Sequence, residues 1–159
     1  MPHLHLNRPC RLARPQRRPA GRVELRPLRE VEAEAEAAGR WLRDHGYLPD
    51  RVVTSPARRA RETTEQAMAA LGYVELRQEK RIYDATPGML MQVADEHRDI
   101  ARVLLVGHNP GFEQLAALLS SGQSGDFRGM PAGGVAVLSM PADADLEPGI
   151  ARLAAFWWP

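Results

Sequence analysis

Apolar and polar positions along this chain switch between two periods. Val103 to Val106 is an unbroken apolar run that leads into Gly107-His108-Asn109-Pro110-Gly111, after which Phe112, Leu115, Ala116, Leu118 and Leu119 recur at helical steps. Such a succession predicts a buried strand, a tight turn and a helix start. The same succession stands upstream. Arg51 to Thr54 predicts a strand, and Ser55 is placed to cap the next helix, with Pro56 at its first position. That helix carries Ala57 to Leu71 and stops at Gly72. Glu30 to Arg43 is rich in strong helix formers and bears an apolar stripe of Val31, Ala35, Ala38, Trp41 and Leu42, with Gly46 as its stop. Thr86 predicts another cap, with Pro87 behind it and an inner face of Met89, Leu90, Val93 and Ala94.

Further strands are predicted at residues 3–6, where His and Leu alternate, at 74–76, at 134–140 and at 151–157. Residues 121–129, rich in Ser and Gly, predict a flexible loop. Strands alternating with helices predict an α/β fold: a three-layer sandwich with a mostly parallel central sheet and helices on both faces. The length suits one domain over residues 1–159. One stretch breaks the pattern. From Arg8 to Arg29, eight of 22 residues are arginine and four are proline, with neither a helical nor a strand period. Alone, residues 7–27 read as a disordered basic segment.

Charge and composition narrow the partners. The net charge is +1, which gives no global case for nucleic acid or an acidic membrane. The arginine-rich arm lacks interleaved aromatics, which argues against a nucleic-acid binder. Its prolines would break the amphipathic helix of a transit peptide. No apolar run approaches the roughly 20 residues that cross a bilayer, and the amino terminus has no signal-peptide core. The single cysteine, Cys10, cannot form an internal disulfide. These features lead to the expectation of a cytoplasmic monomer without cofactor. No metal is expected, because no cluster has ligand spacing.

Candidate chemistry concentrates in the two loops that follow predicted strands. Ligands of open α/β sheets sit beyond the carboxyl ends of strands. His108 falls there, and two readings stand: a turn-former, or an imidazole working near neutral pH. The loop Thr54-Ser55-Pro56-Ala57-Arg58-Arg59-Ala60-Arg61 puts guanidinium groups into a helix's first turn, where they oppose the helix dipole. An anion between arginine and helix terminus would reverse that penalty. At least two of Arg58, Arg59 and Arg61 read as surface residues, since the three cannot all face one pocket. Among the other histidines, His3 and His5 lie within a strand, His45 at a helix end, and His97 in a charged surface stretch.

Ser55-Pro56-x-x-Arg59-Ala60-x-x-Thr63, followed by Val-Leu-Leu-Val-Gly-His108-Asn-Pro-Gly, resembles the histidine phosphatase superfamily, and within it the short SixA-type phosphohistidine phosphatases. Arg26-Pro27-Leu28 with the helix through Gly39-Arg40-Trp41-Leu42, Ile82-Tyr83-Asp84-Ala85, and Met130-Pro131-Ala132-Gly133-Gly134 before the late strand are similar in order and spacing. The resemblance implies a phosphoglycerate mutase-like fold. It also implies a phosphatase in which a histidine after the first strand attacks phosphorus, while two arginines and a second histidine stabilise the phosphoryl oxygens. By resemblance Arg8 and Arg59 are those arginines, His108 is the second histidine, and Ser55, Gly107 and Asn109 border the phosphate. The implied substrate is a phosphohistidine-bearing protein or a small phosphoester. Asp84 and Glu113 are acids near the motifs, and neither is marked as a proton donor.

The chain departs from the family at one place. Where the family has Arg-His-Ala, this sequence has Arg8-Pro9-Cys10. Proline has no nucleophilic atom, and no other histidine substitutes. Two accounts remain open: a shifted reading frame over residues 9 to about 25, or divergence to a pseudoenzyme. Arg-His-Ala-acid encoded CGC CAT GCC GAN becomes, with one extra C, CGC CCA TGC CGA, which is the Arg-Pro-Cys-Arg of residues 8–11. The frameshift account predicts that deleting one base near codon 9 restores His-Ala-acid. Sequencing the gene checks this, and codons that cannot yield it leave divergence.

Overall fold

A computed structural model describes residues 3–7, 28–126, 129–142 and 144–159. The arginine- and proline-rich segment, with Arg8, Pro9 and Cys10, lies outside the described residues. The elements are β1 (His3–Asn7), α1 (Leu28–Asp44), β2 (Arg51–Thr54), α2 (Arg58–Leu71), β3 (Glu75–Gln78), α3 (Pro87–Asp95), β4 (Arg102–Val106), α4 (Gly111–Ser121), β5 (Val135–Ser139) and β6 (Arg152–Trp157). Single 3-10 turns occupy Lys80–Ile82 and Ser124–Asp126.

The strands form one sheet in the order β3-β2-β4-β1-β5-β6. The first four in that order run parallel, β5 is antiparallel to β1, and β6 is antiparallel to β5. This is the α/β sandwich that the alternation predicts. Successive strand residues point to opposite faces, and both faces are buried. Val53, Val103 and Leu105 pack with Leu90, Val93, Phe112, Leu115 and Leu119 of α3 and α4. Val52, Leu104 and Val106 pack with Ala38, Leu42 and Leu71 of α1 and α2. Burial on both faces is why these strands read as continuous apolar runs rather than alternating ones. The α1–α2 contact is close. A Cβ on Gly39 would lie 2.3 Å from the Ala67 carbonyl oxygen.

Local signals mark most boundaries. Thr86 caps α3 by accepting from the Met89 N–H, with Pro87 in the first turn. Gly122 ends α4 in the left-handed conformation. Several expectations change. Met89 is 37% exposed, so the inner face of α3 is Leu90, Val93 and Ala94. The strand expected at 74–76 runs from Glu75 to Gln78 and is exposed throughout, because it is the sheet edge. Ser55 does not cap α2, which begins at Arg58 with Ala57 as its N-cap.

His97 is not on the surface. It is 8% exposed, and the Arg51 guanidinium donates from Nη1 to its Nδ1 at 3.0 Å. Arginine is always a donor, so this nitrogen must accept and the ring is neutral. The same guanidinium donates to Glu75 at 2.9 Å and to Asp99 at 3.2 Å. The cluster pins the start of β2 to β3 and to the turn after α3. Burial, aided by the charges of Arg51 and Arg77, holds the His97 pKa below its ordinary value, against the opposing pull of Asp99 and Glu96. The unfolded chain therefore takes up a proton that the folded chain refuses. Stability should fall as pH drops below about 6.5. Urea midpoints at pH 7.5 and 5.5 check this. His97→Asn, which keeps an acceptor near Nδ1, should shrink the difference between them.

Candidate active site

The parallel register builds the site. Thr54 and Asn7 both pair with Val106, so β2, β4 and β1 end level with one another. The chain leaves β1 toward β2 through α1 on one face, and leaves β4 toward β5 through α4 on the other. The crevice between β4 and β1 is therefore a topological switch point, the usual ligand position in such sheets. Ser55 follows β2, and Gly107 and His108 follow β4.

The two turns meet through side chains. His108 Nε2 lies 2.9 Å from Ser55 Oγ. Ser55 is fully buried. Its N–H donates to the Val106 carbonyl at 3.0 Å, and its Oγ accepts from the Ala57 N–H at 3.3 Å. One imidazole nitrogen is thus held by a hydroxyl that is itself held. Tyr83 stands edge-on to the His108 ring at 5.5 Å between centroids. His108 remains half-buried. Gly107 is required by space, since an added Cβ would come within 2.1 Å of the Phe112 ring and 2.6 Å of Ile82.

Asn109 is turned into the loop. Its Nδ2 donates to Glu113 Oε2 at 2.9 Å and to the Met130 carbonyl at 3.3 Å, and its Oδ1 accepts from the Glu113 N–H at 3.2 Å. Glu113 Oε2 also accepts from the Met130 N–H at 3.1 Å. Asp84, the other nearby acid, is exposed in the left-handed region at φ 48°.

The three arginines of the α2 start separate by face. Arg58 pairs with Glu62 at 2.7 Å on the exposed side. Arg61 precedes exposed Glu65 by one turn, whereas Arg59 precedes buried Thr63. Residues four apart share a helix face, so Arg59 stands on the edge of the face that α2 turns toward the protein, with its own side chain solvent-exposed. Arg8 lies outside the described residues, though β1 delivers the chain to this end of the sheet at Asn7.

No group of His, Cys, Asp or Glu among the described residues is arranged to hold a metal ion. No helix among them is long and apolar enough to cross a membrane. A groove of about 1170 Å³ runs beside the site between α4 and β6, lined by Glu113, Met130, Leu153, Phe156 and Trp158 among others; His108, Ser55 and Arg59 do not line it. Sequence reasoning left Tyr83, Glu113 and Met130 without roles. Only the four-residue spacing of Asn109 and Glu113 signalled a contact in advance.

Comparison with known proteins fits this geometry. The sequence profile of the histidine phosphatase superfamily, branch 1, matches residues 16–100, which takes in Arg59. The Mycobacterium tuberculosis protein Rv1276c is 35% identical over 136 residues, covering 79% of this chain and 84% of that one. A crystal structure assigned as phosphohistidine phosphatase SixA of Agrobacterium tumefaciens superposes with a TM-score of 0.75 at 25% identity over 99% of both chains. A structure similarly assigned from Nakamurella multipartitia gives 0.73 at 28% identity, over 99% of this chain and 96% of that one.

The packing around Gly107 gives a direct test. Gly107→Ala must displace a fully buried Phe112 ring. It should cost about 1–3 kcal/mol, the usual range for overpacking, read as a lowered urea midpoint.

Proposed function

The chain belongs to the histidine phosphatase superfamily, branch 1, and on that footing we propose that its site is the phosphate pocket of a SixA-type phosphatase lacking its attacking group. The observation that carries this reading is the His108–Ser55 pair at the level ends of β2 and β4, with β1 ending at Asn7 on the same level. The likeness to two structures assigned as SixA, at 25% and 28% identity, supports it.

In the proposed chemistry a phosphoryl group enters beside His108. Protonated His108, Arg59 and Arg8 donate to its oxygens; charge-assisted hydrogen bonds of this kind are shorter and stronger than neutral ones. Ser55 orients the imidazole through Nε2. The family reaction then needs a nucleophile opposite the leaving oxygen. A histidine nitrogen bonds to phosphorus, the leaving group departs with the bonding electrons, and water later cleaves the phosphohistidine. Pro9 offers no such lone pair. The chain as written binds phosphate and turns substrate over poorly or not at all, which makes it a phosphate-binding pseudoenzyme in its present form. The substrate class is a phosphohistidine on a protein or a small phosphomonoester. We read residues 1–159 as one domain, acting as a cytoplasmic monomer without a metal.

The test compares the chain with Pro9→His. Hydrolysis of p-nitrophenyl phosphate should be near background for the chain and rise by several orders of magnitude in the variant, the usual scale for an attacking residue. Orthovanadate binding should be present in both and lost in His108→Ala. Equal turnover by the unaltered chain and the Pro9→His variant would reject the nucleophile assignment. Unchanged vanadate affinity in His108→Ala would reject the pocket.

A further inference from the structure

We infer that Glu113 is a positioning residue, whose carboxylate locks the loop carrying His108 to the loop at Met130, and that it is not the proton donor to a leaving group. The inference rests on the reading of His108 as a phosphate ligand.

Four hydrogen bonds form a closed set. Glu113 Oε2 accepts from Asn109 Nδ2 at 2.9 Å and from the Met130 N–H at 3.1 Å. The Glu113 N–H donates to Asn109 Oδ1 at 3.2 Å, and Asn109 Nδ2 also reaches the Met130 carbonyl at 3.3 Å. His108 is bound into the same turn, because its carbonyl accepts from the Phe112 N–H at 3.3 Å. On the other side Gly107 lies against the buried Phe112 ring. The imidazole therefore springs from a backbone braced on both sides. One carboxylate oxygen thus takes both donors, and an acidic residue in the first turn of α4 complements the helix dipole.

The same contacts argue against an acid role. A general acid must come within hydrogen-bond reach of the leaving oxygen. Glu113 faces Asn109 and Met130 and lines the groove between α4 and β6, which His108 and Ser55 do not line. Displacements of about 1 Å in a catalytic group can cost about a hundredfold in rate, so bracing alone gives this residue a measurable effect.

Because one oxygen accepts both bonds, glutamine can replace it without loss of the lock. The experiment uses Glu113→Gln, Glu113→Ala and Asn109→Ala in the full chain. Imidazole nitrogen–proton spectra of His108 are recorded across pH without phosphate, alongside calorimetric titration with orthophosphate. Glu113→Ala should move the His108 signals and its titration midpoint and weaken orthophosphate about tenfold, equivalent to about 1.4 kcal/mol. Glu113→Gln should restore both to within about twofold. Asn109→Ala should reproduce Glu113→Ala, and it decides the matter if Glu113→Ala fails to fold. In a Pro9→His background, Glu113→Gln should retain turnover. The inference is overturned if His108 spectra are unchanged in folded Glu113→Ala or Asn109→Ala. It is also overturned if Glu113→Gln abolishes Pro9→His turnover while orthophosphate still binds. Absence of orthophosphate binding by the unaltered chain would instead remove the phosphate reading, while the spectra still decide the lock.

Discussion

The hydrogen bond between His108 and Ser55 depends on a constraint set far from either residue: β2, β4 and β1 are parallel and end level. Parallel pairing with Thr54 and Asn7 both opposite Val106 leaves no freedom in where the next residues emerge. A slip of one residue would turn Val52, Leu104 and Val106 to the opposite face and exchange the two helical cores. The apolar pattern of the strands therefore holds the register, and the register holds the site. Arg51, with His97, Glu75 and Asp99, fastens the opposite end of β2.

Close packing supports that arrangement where side chains would obstruct it. Gly39 lets α1 and α2 approach until backbone meets backbone, and Gly111 lets α4 start against the Ala85 carbonyl, which an added Cβ would approach to 2.3 Å. Gly107 gives its place to the Phe112 ring. The turn bearing His108 is thus shaped by exclusion on one side and by the Asn109–Glu113–Met130 hydrogen bonds on the other. Tyr83, arriving from the turn before α3, stands nearly perpendicular to the imidazole, which stays partly exposed.

The departure from the family's motif, at Pro9, lies outside the described residues, and the described part of the site stands on other elements. Arg59, Ser55 and His108 are held by α2, β2 and β4. The attacking residue of the family follows β1, whose backbone pairing with β4 and β5 ends at Asn7.

Much of the fold was legible because it is encoded over short spans. The strand Arg51–Thr54, the Thr86-Pro87 start of α3, the glycine stops and the alternation of strands with helices all follow from neighbouring residues. The motif around His108 and the Ser55–Arg59 loop were legible too, as two loops that each follow a strand. Residues that act across the fold were not. Ser55 looked like a helix cap and proved to be the partner of His108. His97 looked exposed among charged neighbours and is buried, because Arg51 comes to it from another strand. Tyr83 and Met130 carry no local signal of contact with the site, and Glu113 only a spacing. Periodicity and capping act over a few residues, so the elements could be read locally. Which side chains of the two loops touch depends on strand order and register, which bring together residues that no local pattern connects.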